Sequence, residues 1–317
     1  MTTTQQPSGQ PWLLREDLPS PSRGVPAGVE YHRVLAGERR RIPRGLLTIV
    51  LLLVGFVAFS VVFIEAAKVI DREVLGRDES FTPLRHVAGS LSLALLIPYS
   101  MLLQRVLYGV SPGSLHSVTG RFRFDVLGRT LVLFGPLVLV AVGISATQGG
   151  TTTTWTQADL IVMFLSGLLV SPLAAAGEEY GFRGLMFRVV GGWARSARAG
   201  LVAGVVVTTV LFSLMHGTLD PYLLTSYLVL FGSMAIVTWR TGGLEVAVVL
   251  HSVYNLALLL ATTLHLDVGG ELESRATAVG SPVSLVPSAA IILATGVVWL
   301  MTRTSGPART LPRGDER

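Results

Sequence analysis

The sequence has no cysteine and little charge. The absence of any thiol among 317 residues excludes a disulfide framework, a thiolate metal site and a cysteine nucleophile. Only 14% of residues are charged, against about 25% in an average soluble domain, and mean hydropathy is +0.59. Together these exclude a soluble globular protein. Disorder of the whole chain is excluded too, because half of the residues are hydrophobic and would remain wet. Lysine is almost missing: of 25 basic residues only Lys68 is not arginine. A net charge of +5 in so apolar a chain points to anionic lipid headgroups, not nucleic acid.

What is present is a series of long apolar runs: Gly45–Ala67, Leu84–Leu107, Val126–Ala146, Asp159–Gly177, Gly200–His216, Pro221–Trp239, Leu244–Leu264 and Ser284–Thr302. Each is close to the roughly 17–25 residues that a bilayer-spanning helix needs. The expected fold is all-α, a polytopic membrane bundle of about eight helices. Arginine placement orients it. With the N-terminus inside, 20 basic residues fall on the inner side and five on the outer, so both termini are expected in the cytoplasm. The first apolar run is long and begins only near Leu46, which does not fit a cleavable signal peptide. Residues 1–41 and 304–317, polar with scattered Pro and Gly, read as cytoplasmic tails, the first of them disordered. Residues 42–303 read as the bundle, and the cell membrane as its location.

Ionisable groups inside spans are costly and mark function. Glu65, Glu245, His86 and His265 sit near span ends and read as interfacial, and His32 and His116 lie in cytoplasmic segments and carry no signal. Three clusters remain. In Glu178-Glu179-Tyr180-Gly181-Phe182-Arg183, Glu179 and Arg183 share a helix face and can pair, while Glu178 points about 100° away. In Phe212-Ser213-Leu214-Met215-His216, the phenylalanine lies one turn below the histidine. In His251-Ser252-Val253-Tyr254-Asn255, the imidazole shares a face with the only asparagine in the chain. Two other readings fail. Gly109-Val110-Ser111-Pro112-Gly113 fits the serine-hydrolase pattern G-x-S-x-G but lacks its strand–turn–helix setting. The H-E-x-x-H helix of zinc proteases is absent.

The three clusters, in this order on separate helices, resemble the CAAX protease and bacteriocin-processing (CPBP, or Abi) family, whose members carry E-E-x-x-x-R, F-x-x-x-H and H-x-x-x-N. The resemblance covers roughly residues 155–260, so a protease core is expected over about 155–265. It implies an intramembrane endopeptidase similar to the type II enzymes that act on prenylated proteins. Its substrate would be a membrane-associated or lipidated peptide or protein, its partner the lipid bilayer, with no nucleic acid involved. Bacterial relatives are tied to bacteriocin processing or self-immunity. On this reading Glu178 and His216 activate water, His251 and Asn255 stabilise the oxyanion, and Glu179 with Arg183 holds Glu178 in place. A metal version stays open, with Glu178, His216 and His251 around zinc. A transporter, or a non-catalytic scaffold of the same fold, is the alternative from other classes. The expected spans carry a conflict: they put Glu178 at the inner end of one helix and His216 at the outer end of the next, roughly 25 Å apart at 1.5 Å per residue. Convergence requires the first helix to run on past Arg183, or the second to end at mid-membrane.

Overall fold

The computed structural model describes residues 12–14, 23–37, 41–79, 81–146, 153, 155–256 and 278–311. Every regular element among them is helical: α1 Ile42–Glu73, α2 Pro83–Ala94, α3 Leu96–Tyr108, α4 Phe124–Ala146, α5 Gln157–Glu179, α6 Phe187–Trp193, α7 Ala197–Leu214, α8 Pro221–Thr241, α9 Glu245–Asn255 and α10 Val286–Thr302, with short 3-10 turns between. Seven helical stretches are long and apolar enough to cross a membrane. The eighth expected span begins with α9. Its second half and His265 lie outside the described residues.

Two spans differ from their expected outlines. The second is broken at Leu95 into α2 and α3, because Pro98 has no N–H for the Ala94 carbonyl. The fourth does not stop at Gly177. After Glu179 it opens into a π-helical turn, Tyr180–Met186, and continues as α6, giving one helical path Gln157–Trp193. Arg183 and Arg188, both among the 20 basic residues assigned to the inner side, are fully buried on this path. Every residue from Glu179 to Gly192 is buried, so this stretch of the pillar lies in the core of the bundle.

Small residues set the spacing. Gly45, Thr48, Leu52 and Gly55 form the buried stripe of α1, and a side chain at Gly55 would run into the Tyr99 ring. Gly177 is the tightest point. A Cβ there would collide with the Leu93 carbonyl oxygen and sit 2.7 Å from its carbon. Because backbone is what blocks it, Gly177→Ala should cost about 1–3 kcal/mol, read as a lower unfolding temperature in micelles.

Residues 23–37, expected in a disordered tail, instead fold under the bundle. Tyr31 and His32 are buried, Tyr31 donates to the Leu115 carbonyl at 2.5 Å, and Glu30 bridges Arg309 of the C-terminal segment. Gly28 and Val29 exchange hydrogen bonds with Thr310. The two terminal segments therefore meet on one side of the bundle. Burial lowers the His32 and His116 imidazoles from their ordinary value of 6.5. Such groups stay neutral in the fold while the unfolded chain takes up protons, so stability is complete above that pH and falls below it. The unfolding temperature should drop between about pH 7.5 and pH 5.5, and His32→Gln should flatten that slope.

Candidate active site

The site assembles where the π turn begins. Glu178 and Glu179 end α5, and α9 lies alongside with His251 facing them. The His251 Nδ1 lies 2.7 Å from Glu179 Oε1 and its Nε2 lies 3.5 Å from Glu178 Oε2. Donation from Nδ1 to the carboxylate leaves Nε2 as the ring nitrogen that faces Glu178 and the rest of the site. Glu179 is fully buried, and Arg183 Nη1 approaches the same Oε1 at 3.2 Å. Glu178 is less enclosed, its side chain 12% exposed. The two adjacent carboxylates thus have distinct surroundings. Glu179 is tied to an arginine and an imidazole, and Glu178 faces outward from the same imidazole.

Arg183 is held largely by aromatic faces. Its guanidinium lies 4.7 Å from the centroids of both Phe212 and Phe231, an arrangement that lets a cation sit in an apolar interior. The same two rings reach the histidines. Phe212 is 5.1 Å from His216 and 6.4 Å from His251, and Phe231 is 4.9 Å and 5.9 Å from them. Phe182, three residues beyond Glu179, stacks on Phe212 at 4.1 Å.

The continued pillar removes the conflict in the expected spans. From Glu179 the chain runs about 21 Å to Trp193, and α7 returns about 27 Å at 1.5 Å per residue, which brings His216 back to the level of the glutamates. His216, half-buried just past α7, has Nδ1 2.8 Å from the Phe212 carbonyl. Donation to that carbonyl directs the Nε2 lone pair away from the backbone. Asn255 is the last residue of α9, half-buried and one turn beyond His251.

The described residues contain no group of three or more His, Asp or Glu arranged to hold a metal ion. His216 and His251 each hold Nδ1 against an oxygen and leave Nε2 as the remaining ring nitrogen, an orientation that metal-ligating histidines also use.

Sequence reasoning missed several contributors. Phe231 and Tyr227, four apart on α8, lie against His216, the tyrosine at 4.3 Å. That i, i+4 aromatic pair was the available signal. Glu245, read as interfacial, is fully buried in a bidentate pair with Arg123. His116, read as uninformative, meets the Tyr180 hydroxyl directly after the two glutamates. His86 bonds Ser171 Oγ at 3.3 Å between α2 and α5. Glu65 does sit at the surface, paired with Lys68.

Fold and site together define a polytopic helical membrane protein with a carboxylate–imidazole centre built into its bundle. Residues 158–257 match the family model described as Type II CAAX prenyl endopeptidase Rce1-like. This supports assignment to the CPBP/CAAX protease family, the one the three motifs resemble. The matched stretch runs from α5 through α9 and holds all three motifs. No curated protein and no solved structure matches the chain.

Proposed function

We propose that the protein is an intramembrane endopeptidase that hydrolyses a peptide bond in a membrane-associated, lipidated substrate, in the cell membrane and with its termini in the cytoplasm. The observation that carries this reading is the clamping of His251 between Glu179 and Glu178 inside a helix bundle. Interior charges are costly in a membrane, and here two carboxylates, an arginine and an imidazole meet at one point.

In the proposed chemistry Glu178 accepts a proton from a water that His216 helps to orient. The resulting hydroxide attacks the scissile carbonyl carbon. His251 and Asn255 stabilise the oxyanion that forms, and Glu178 returns its proton to the leaving amine as the C–N bond breaks. Glu179 fixes the His251 ring, and Arg183 pairs with Glu179 and holds it there. The family description names prenylated substrates, so the test substrate is a peptide ending in a prenylated cysteine and three further residues. The wild-type protein in lipid bilayers should release the C-terminal tripeptide, detected by mass spectrometry, and chelators should leave the rate unchanged. No cleavage of the lipidated peptide would overturn the reading. Stoichiometric zinc, with activity lost on chelation and restored by metal, would overturn its metal-free form.

A further inference from the structure

One loop touches both halves of the site. Residues 111–123 follow α3 and lie under the pillar, with Leu115 and Ser117 fully buried. On the carboxylate side, His116 Nδ1 meets the Tyr180 hydroxyl, and Tyr180 is the residue after Glu179. Two turns further on, Arg188 donates to Ser114 Oγ at 3.2 Å, to the Ser114 carbonyl at 2.5 Å and to Gln104 Oε1 at 3.0 Å. Gln104 in turn holds the Ser111 carbonyl at 2.9 Å.

On the imidazole side the same loop grips the start of α9. The Leu244 N–H donates to the His116 carbonyl at 3.0 Å, and Val118 N–H donates to the Gly242 carbonyl at 2.7 Å. Arg123 then closes on Glu245, the first residue of α9. Its backbone N–H and Nε donate to Oε1 at 2.9 and 3.0 Å, and Nη2 donates to Oε2 at 2.7 Å. Gly243 leaves room for this pair, since a side chain there would strike both Arg123 and Glu245. His251 is six residues up the same helix, which starts from this anchor.

We propose that residues 111–123 form a positioning bracket that sets the spacing between Glu178–Glu179 and His251, with Arg123 and Glu245 as the positioning pair. His116 is the shared point: its ring contacts the carboxylate helix and its carbonyl caps the approach to the imidazole helix. A bidentate guanidinium–carboxylate pair fixes direction as well as distance. Neither residue touches the reacting atoms. Both act through the placement of α9.

The inference rests on the proposed hydrolysis for its kinetic readout, and a second readout does not. In Glu245→Gln, kcat for the prenylated peptide should fall about 10²-fold, the scale of a 1 Å misplacement, with KM unchanged. The His251 Nδ1–H signal, followed by [15N]histidine NMR in nanodiscs and assigned by its loss in His251→Gln, should shift. Because Glu245→Gln leaves a buried arginine unpaired, the decisive variant is the paired Arg123→Met/Glu245→Met. Replacing a buried pair by apolar volume is often neutral for stability, so it should unfold at the wild-type temperature yet keep the low kcat and the shifted signal. Tyr180→Phe, which removes only the hydroxyl met by His116, should move the same signal from the other side. Wild-type kcat and an unmoved His251 signal in the folded double variant would overturn the bracket. If the wild type fails to cleave the peptide, the hydrolase reading falls, and the NMR shift still decides the bracket.

Discussion

Glu178→Gln should lower the rate of peptide cleavage by about 10²–10⁴-fold, the usual worth of a positioned general base. The fold should be kept. Glutamine has the same shape, and the group it replaces is the partly exposed carboxylate, 3.5 Å from His251 Nε2, not the one at the buried centre. The amide cannot take a proton from water at neutral pH. Substrate binding should be little changed, so the loss should appear in kcat and leave KM close to wild type. Thermal unfolding of the purified variant checks that the loss is chemical. A variant that unfolds like wild type and cleaves like wild type would remove Glu178 from the reaction.

Arg183→Met should have the largest effect on stability. It leaves the Glu179 carboxylate fully buried and without its cation, and breaking one side of such a pair costs about 3–5 kcal/mol. The cost is magnified by the aromatic contacts, because Phe212 and Phe231 lose the guanidinium packed against them. The combined Glu179→Gln/Arg183→Met variant should recover much of the loss, since no buried charge is then stranded. Coupling between the two substitutions in SDS unfolding titrations checks this. Residues that touch couple by about 0.5–3 kcal/mol, and strict additivity would argue that Arg183 stabilises through packing alone. Activity should not return with stability, because His251 would have lost the carboxylate that fixes its ring.

The membrane bundle was legible because apolar runs of this length have few other uses. The Glu179–Arg183 pair was legible as well, since i, i+4 spacing is a local property that the structure keeps at 3.2 Å. The end of the pillar was not. Arg183 and Arg188 count among the inner-side charges because the rings that accept them, Phe212, Phe231 and Tyr31, come from other parts of the chain. Once such arginines are allowed inside, α5 can continue to Trp193 and the conflict over His216 disappears. The folded terminal segments were hidden for the same reason. Tyr31 and Thr310 lie in polar stretches, and only their contacts with Leu115, Pro26 and Val29 make them part of the core. Local pattern found the pairs of residues one helical turn apart. It missed the partners that only the tertiary fold supplies.

The central claim is that Glu178 and His251 act as one unit, and a double-mutant cycle tests it most directly. The kcat/KM for the prenylated peptide would be measured for wild type, Glu178→Gln, His251→Gln and the double variant in the same bilayers. Groups that act as a unit are strongly non-additive, so the double variant should be no slower than the slower single one. Losses that multiply would contradict the account, because they would mean that the two side chains, in contact in the fold, contribute independently of one another.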